Sequence, residues 1–465
     1  MLKQLATTLV VLAMVSGSVL ADAKNGGIAR QIAMGGSQAA SGLVLNPFIT
    51  DDPALLLLNP AYQAMYRDYA WMNIGGGTVN GLSTGDNGYG NQNAGVAFGF
   101  GRDWSFGAVL SYDPSAINIV RNAISGTGIT APGWGITQRP AQAIPAVANV
   151  WEAVAAYHMG GMDLGFGFMY GHSITDSTAS VSTGGSGEAE ASSNMFGFRV
   201  GGVFDLGSGS SFDVSAALRL DKATDNLTSS TGSGGEYSAT ATEIQVQARG
   251  KFKMSNKVSF VPYAMFATAS TEPKEDAVPL APPPGIPAQT KSNKLSALAY
   301  AIGIGAEYKT PAYYFAGGIS YQSARLKAEI GNYPGSGQNQ TYTATLVGLP
   351  VFNLGGEWWF TDWLAGRAGY YRSIANSKFK TEASDTTGSF TGESNRTFPN
   401  SFLFVGGITP ATNDGLVTLG LGFRFGGFAL DATVSEEALR RGLGLLGAQD
   451  NINTFGYITT SYNFE

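Results

Sequence analysis

The chain contains no cysteine in 465 residues, so no disulfide framework holds it together. Charged residues make up only 13%, about half the ~25% share of ordinary soluble proteins. Histidine occurs twice, which removes most metal sites and most acid–base pairs. After the amino terminus no stretch supplies the ~20 consecutive apolar residues that a membrane-crossing helix needs. A net charge of −6 with no basic stripe excludes a nucleic-acid binder. What fills the chain instead is glycine, 64 in all, about twice the usual ~7%.

The amino terminus has the layout of a secretory signal. Lys3 provides the positive start and Leu5 to Val15 the apolar stretch. Val19-Leu20-Ala21 offers a cleavage site after Ala21, with Ala21-Asp22-Ala23 as a second option. The apolar stretch is too short for an anchor, and Thr7 and Thr8 interrupt it. Residues 1–21 are therefore set apart as a signal peptide, and export to the cell outer membrane is expected.

Beyond residue 66 the apolar residues alternate. In residues 163–171, Leu164, Phe166, Phe168 and Tyr170 share one face, while Asp163, Gly165, Gly167 and Gly171 share the other. Residues 194–204, 212–220, 243–253 and 417–425 repeat the pattern. Period two marks strands. A soluble β-sandwich also alternates. Aromatics at strand ends (Trp104, Trp151, Tyr157, Trp358, Phe360, Trp363) instead suit the two interfacial girdles of a membrane barrel. Tight turns near 102–104, 160–162, 207–209, 255–256, 310–311, 361–362 and 426–427 alternate with longer polar loops. Those loops fall near 81–92, 113–149, 174–192, 224–240, 273–292, 331–340, 381–413 and 438–452.

This spacing predicts an all-β fold, a transmembrane antiparallel β-barrel over residues 67–465 with strands of about 9–11 residues. The turns and loops interleave to about sixteen strands, with both chain ends on the short-turn, periplasmic side. Segments 402–406 and 428–434 are the weakest of these strands. Pro262 predicts a bulge or an edge in strand 257–268. Tyr462 and Phe464 share a face near the end, similar to the assembly signal of such barrels, although Glu465 follows.

Residues 22–66 do not alternate. Asp52 can cap a short helix with Pro53 at its first position, and Asn59 can cap a second with Pro60. Met34, Leu43, Leu45, Phe48 and Leu55–Leu58 make the segment too apolar for a solvated tail. A barrel of this size has a bore that can be filled. The segment is thus expected to be a helical hatch plugging the lumen, the alternative being a periplasmic extension that docks a partner.

Ala29-Arg30-Gln31-Ile32-Ala33-Met34-Gly35-Gly36, then Asp51-Asp52-Pro53-Ala54, then Asn59-Pro60-Ala61 resembles the amino-terminal hatch of the FadL/TodX-type outer-membrane transport family. That resemblance implies a fourteen-strand barrel and passive uptake of hydrophobic small molecules, such as long-chain fatty acids or aromatic hydrocarbons. It also implies lateral release into the bilayer, and it places Asn59, Pro60 and Ala61 in the hatch beneath the ligand. Phe48 and Leu55 are the apolar candidates of the same segment. The implied partners are the ligand, outer-membrane lipids and lipopolysaccharide, with the protein a monomer. PorV-type barrels share the Gly-Gly, Asp-Asp-Pro-Ala and Asn-Pro-Ala pattern and serve as secretion shuttles. A scaffold that binds exported proteins is therefore a second reading. An open porin is a third, disfavoured by a plug.

Arg199, Arg219, Arg249 and Arg424 fall on the face predicted to line the lumen. There they either meet a carboxylate ligand or pair with lumen acids such as Asp213, Glu243 and Glu357. Trp134, Ile136, Ile144 and Leu346–Val351 are apolar candidates for catching a ligand near the long loops. Strand 105–112 ends at Asp113-Pro114, the expected place of a lateral exit. His158 and His172 lie near opposite rims, and no nucleophile–base–orienter set can be assembled, so neither enzyme activity nor a metal or cofactor is expected. Gly442 to Gly447 matches a dinucleotide-binding pattern in letters only, since it follows Glu436, Glu437, Arg440 and Arg441 rather than a buried strand.

Overall fold

Alternation along the chain closes into a ring. A computed structural model describes residues 26–38, 44–75, 93–110, 150–180, 186–229, 234–278, 291–330, 339–384, 389–399, 416–434 and 455–464. The wall begins with β1 (Tyr69–Gly75), β2 (Asn93–Phe100), β3 (Trp104–Leu110) and β4 (Trp151–Met159). It continues through β5 (Met162–Ser180), β6 (Ser186–Gly207), β7 (Ser210–Ser229), β8 (Gly234–Lys253) and β9 (Val258–Val278). Then come β10 (Lys291–Lys309), β11 (Tyr313–Ile330), β12 (Asn339–Trp359) and β13 (Leu364–Ser384). Two segments, Ser389–Pro399 and Leu416–Phe425, both run antiparallel to β13, the first along 374–384 and the second along 364–371. They occupy one strand position of the barrel and are together called β14. β15 (Phe428–Val434) and β16 (Phe455–Asn463) follow, and β16 pairs with β1 to close the barrel.

The barrel thus has sixteen strand positions. An even count is required, because every neighbouring pair is antiparallel and the ring must close on itself. Segment 428–434 is a strand, while 402–406 lies outside the described residues. The seven tight turns stand where the spacing places them. At Gly207-Ser208-Gly209 all three residues have positive φ, a conformation that glycine adopts without cost and serine does not.

Strand length departs from expectation. β5 to β13 run 18 to 22 residues, not 9–11. Most of the predicted loops 174–192 and 224–240 is therefore strand, as are 273–278, 291–292 and 339–340 at the edges of two others and Leu346–Val351 within β12. At ~3.3 Å per residue and ~40° tilt, 20 residues rise ~50 Å, twice the ~25 Å apolar band of such barrels. The wall stands well clear of the membrane on the long-loop side. Pro262 makes neither a bulge nor an edge. It pairs with Ile304 on β10, while the β8–β9 ladder lacks the two pairs between Arg249–Tyr263 and Phe252–Phe260 without any slip of register. One missing N–H opens the ladder locally, and the long pairing on either side holds the alignment.

The outer face carries the aromatics. Near the short turns Trp104 lies 4.8 Å from Tyr157, Tyr313 stacks on Trp358 at 5.8 Å, and Trp363 stacks on Phe425 at 5.8 Å. Tyr462 and Phe464 lie 5.8 Å apart in this band. A second band includes Trp151, Tyr170 and Phe196, and the Tyr300–Tyr321 pair at 5.8 Å. Tyr300 and Tyr308 are eight residues apart on β10, which is ~20 Å along the membrane normal. Between them Ile302 and Ile304 project outward, each 60% exposed. Such exposure is costly in water and favourable in hydrocarbon. Ile304→Arg is accordingly expected to destabilise the barrel by about 2–4 kcal/mol in denaturant-dependent folding into lipid vesicles. Unchanged stability would mean that this band does not face lipid.

Candidate functional site

The inner face is where residues 26–66 make their contacts. This segment holds one α-helix, α1 (Ile28–Ala33), a two-residue ladder between Ser37–Gln38 and Val44–Leu45, and two 3-10 turns, Pro53–Leu57 and Pro60–Ala64. The two expected helices are these 3-10 turns, and α1 was not foreseen. Each turn is built alike. The Asp52 carboxylate accepts from Ala54 N–H at 2.8 Å, and the Asn59 side-chain oxygen accepts from Ala61 N–H at 2.9 Å. The proline that follows each cap has no N–H to satisfy.

Nearly the whole segment is buried against the wall. Its backbone groups find partners around the ring. Gly26 N–H donates to Asp431 on β15 at 3.0 Å, and Ala29 N–H to the Thr459 hydroxyl on β16 at 3.0 Å. Asn353 on β12 donates to Gly35 O at 2.8 Å, Ser215 on β7 to Leu58 O at 3.1 Å, and Ser105 on β3 to Gln63 O at 3.0 Å. Close approach is possible because the wall there is glycine. A Cβ on Gly165 would sit 2.2 Å from Ala61 N, one on Gly201 1.9 Å from the Asn59 side chain, and one on Gly369 2.0 Å from Gly35 N. Gly305 and Gly318 make room for Phe48, and Gly355 for Met34. The high glycine content thus has a geometric use at the inner wall.

Buried charge holds the segment at two places. Arg30 donates to Glu357 on β12 at 2.9 Å, to Asp52 at 2.8 Å and to the Asp51 carbonyl at 2.9 Å. Glu357 also accepts from Arg367 on β13 at 2.6 Å, and Arg367 lies 2.5 Å from Asp431. Burial pushes the Asp52 carboxyl above the usual range, although Arg30 and the N–H groups of Ala54 and Gly27 pull it down. At the second place Arg249 donates to Asp213 at 3.0 Å, to Ile49 O at 2.9 Å and to the Tyr62 hydroxyl at 3.0 Å. Tyr62 in turn donates to Asp213 at 2.9 Å. Burial raises the Tyr62 hydroxyl, so it stays protonated and able to donate.

The four arginines picked from sequence are not equivalent. Arg199 forms a two-pronged pair with Glu152, at 2.7 and 2.6 Å, and donates to Leu57 O at 2.5 Å. Arg249 binds the segment as described. Arg219 pairs with Asp221 at 2.9 Å, further from the short turns. Arg424 sits at the short-turn rim, 4.2 Å over Trp359, with its guanidinium donating to Asp362 O. Phe48 is fully buried edge-on to Tyr263 at 6.0 Å, and Leu55 is buried among the apolar residues of the segment. Arg30, Arg367, Asp431 and Glu152 were not picked as site residues. The available signal was strand parity, since Glu357 and Arg367 are directly opposed in register.

Beyond the segment, away from the short turns, the inner wall carries an apolar patch of small residues beside the buried charges of Arg219, Asp221 and Glu243. Ala267 and Ala269 on β9 face Ala299 and Ala297 on β10, and Ala299 faces Ala324 on β11. With Ala223, Ala239, Ala241 and Met265 they form one cluster. Where this wall meets the segment lies a cleft of about 50 Å³, lined by Leu45, Pro47 and Leu58 on one side and Arg249, Tyr263 and Met265 on the other. A benzene-sized guest needs about 150 Å³. The cleft admits such a guest only if the segment shifts.

His158 lies 2.6 Å from Asp163 and His172 2.7 Å from Asn194, both exposed and apart from this site. Among the described residues no group of His, Cys, Asp and Glu could hold a metal, and no helix is long and apolar enough to cross a membrane. Asp113-Pro114, the candidates Trp134, Ile136 and Ile144, and Gly442–Gly447 lie outside the described residues.

No family model and no curated protein matches the chain. Among solved structures it is similar to the toluene transporter TodX of Pseudomonas putida, at 10% identity and a TM-score of 0.37, over 96% of this chain and 100% of that one. It is also similar to BauA, the ferric preacinetobactin receptor of Acinetobacter baumannii, at 9% identity and a TM-score of 0.30, over 79% of this chain and 69% of that one. Likeness of this degree assigns neither a family nor a substrate; the observed architecture, a closed sixteen-strand antiparallel barrel with an apolar, aromatic-girdled exterior, is that of an outer-membrane barrel.

Proposed function

We propose that this protein is an outer-membrane channel for passive uptake of hydrophobic small molecules, long-chain fatty acids or aromatic hydrocarbons, and that residues 22–66 are its hatch. In this reading residues 1–21 are removed on export, the short turns face the periplasm, and the protein acts as a monomer without cofactor. The observation that carries it is the buried segment on the short-turn side of an alanine-lined inner wall. Open porins have a polar, water-filled bore. The alanine patch gives a hydrophobic solute surface to exchange for water, worth roughly 25 cal/mol per Å². Asn59, Pro60 and Ala61 act as the seat of the hatch, and Phe48 and Leu55 as its apolar body. Arg199 and Arg249 serve to hold it, while Arg219, paired with Asp221, lines the lumen beyond it.

Planar-bilayer recording combined with uptake tests the reading. The intact protein is expected to show little steady conductance, and a variant lacking residues 26–66 a large one. Cells carrying the intact protein are expected to accumulate labelled oleate or toluene faster than cells without it. Large steady conductance from the intact protein would instead indicate a porin. No uptake together with a stably bound exported protein would indicate a scaffold.

A further inference from the structure

The outer wall above the second aromatic band is not uniform in charge. On β11 the outward residues Arg325 and Lys327 lie four and six positions past Tyr321. In register, Arg325 faces Thr345 on β12, which faces Lys378 on β13. One step further from the membrane, Lys327 faces Thr343, which faces Lys380. Strands stand ~4.8 Å apart and alternate residues ~6.7 Å apart. The four cations therefore occupy the corners of a rectangle of ~10 by ~7 Å, with two threonine hydroxyls between them.

Three of the four have acidic neighbours. Lys378 lies 2.8 Å from Glu393 and Lys380 2.6 Å from Glu382, while Lys327 pairs with Glu329. Glu329 and Glu382 are each two residues further from the membrane than the lysine they touch. At the edge nearest the lipid Lys378 is held by Glu393, and Arg325 stands beside it across Thr345. Arg325 is exposed and has no ion pair among the described residues. On β5 and β6 the outward positions above the band include Asp176 facing Glu190. In a chain of net charge −6 these four cations and their three acidic neighbours leave a small net positive face on β11 to β13.

We propose that this face binds the phosphate groups of a phosphorylated glycolipid of the outer leaflet, of the lipid A type. The inference rests on the short turns facing the periplasm, which puts the second aromatic band at the outer-leaflet boundary. The chemistry is direct. Arg325 offers a planar fork to phosphate oxygens, Lys378 a point charge on the far side, and Thr345 a hydroxyl between. Tyr300, Tyr321 and the isoleucines beneath provide a surface for the acyl chains of the same molecule. The position just outside the hydrocarbon is where a headgroup phosphate sits and where an exposed cation is least screened by bulk salt.

Titration of the detergent-purified full-length protein with lipopolysaccharide, read by native mass spectrometry, tests this. Phosphorylated lipopolysaccharide is expected to bind at least tenfold more tightly than its dephosphorylated form, and more tightly than phosphatidylglycerol. R325E/K378E is expected to lose at least tenfold in that affinity while keeping the heat-modifiable migration of a folded barrel, and D176N is expected to change nothing. Should R325E/K378E fail to fold, R325Q/K378Q carries the same expectation. Equal binding of the dephosphorylated form, equal binding of phosphatidylglycerol, or unchanged affinity in a folded variant would overturn the proposal. Uptake of hydrocarbon is measured separately, so a transporter with no glycolipid preference is told apart from a glycolipid-binding barrel that transports nothing.

Discussion

Arg30→Met is expected to release residues 26–66 from the wall while leaving the barrel intact. Arg30 is 4% exposed and joins three acceptors, the Glu357 and Asp52 carboxylates and the Asp51 carbonyl. The buried network around it holds two guanidiniums (Arg30, Arg367) and three carboxylates (Asp52, Glu357, Asp431). Removing one cation leaves three buried carboxylates facing a single arginine. Breaking a buried pair in this way costs about 3–5 kcal/mol, because the orphaned charge stays buried. The wall keeps its strand ladders, so the cost falls on docking of the segment. At 1.4 kcal/mol per tenfold, the docked-to-undocked ratio drops at least a hundredfold. Limited trypsin digestion and single-channel recording read this out, as faster cleavage within 26–66 and as new steady conductance.

Arg30→Lys is expected to recover only part of the docking, since one ammonium replaces a fork that reaches two carboxylates at once. Asp51→Asn is the contrasting case. Its partner Lys309 is 58% exposed and Asp51 itself 51%, so screening by water limits the pair to about 0–1 kcal/mol. If Arg30→Met matches wild type in both assays, the buried network does not hold the segment.

These energetics bear on what was legible in the sequence. The barrel was legible because lipid and lumen impose opposite chemistry on successive residues, as in Leu164 to Tyr170 against Asp163 to Gly171. Where the strands rise beyond the membrane that contrast disappears. Residues 186–193 are Ser, Gly, Ala and Glu, with no large apolar residue at either parity, yet they pair in unbroken register with β5. Polarity therefore suggests loops where hydrogen bonding continues the strand. The two prolines that start 3-10 turns were legible, since Asp52-Pro53 and Asn59-Pro60 cap locally. The ion network was not, because Arg30 and Glu357 are 327 residues apart. No local pattern carries such a pair. Only the inward parity of Glu357, Arg367 and Asp431, read after the register is known, brings them together. The strand count was hard to read for a similar reason, because Ser389–Pro399 and Leu416–Phe425 are related through their shared partner β13, which no local pattern shows.

Glycine at the inner wall leads to the second large effect. Gly165 and Gly201 face each other in register on β5 and β6, directly behind Asn59-Pro60-Ala61. A Cβ at Gly165 would lie 2.2 Å from both Pro60 C and Ala61 N, which are backbone atoms that cannot rotate away. Gly165→Leu therefore displaces the turn as a body or prevents its docking. Overpacking of this kind typically costs 1–3 kcal/mol and more when nothing yields. Expected results are faster proteolysis within residues 26–66 and a raised conductance, with heat-modifiable migration of the barrel retained. Gly161→Ala serves as the comparison. Its nearest atoms are 3.7 Å away, and the change is expected to stay within about ±0.5 kcal/mol. If the effect of Gly165→Leu runs entirely through the segment, adding it to a variant lacking residues 26–66 changes conductance no further. A further increase in that background would place the damage in the wall itself and remove the glycine cradle as the reason for the seat at Asn59-Pro60-Ala61.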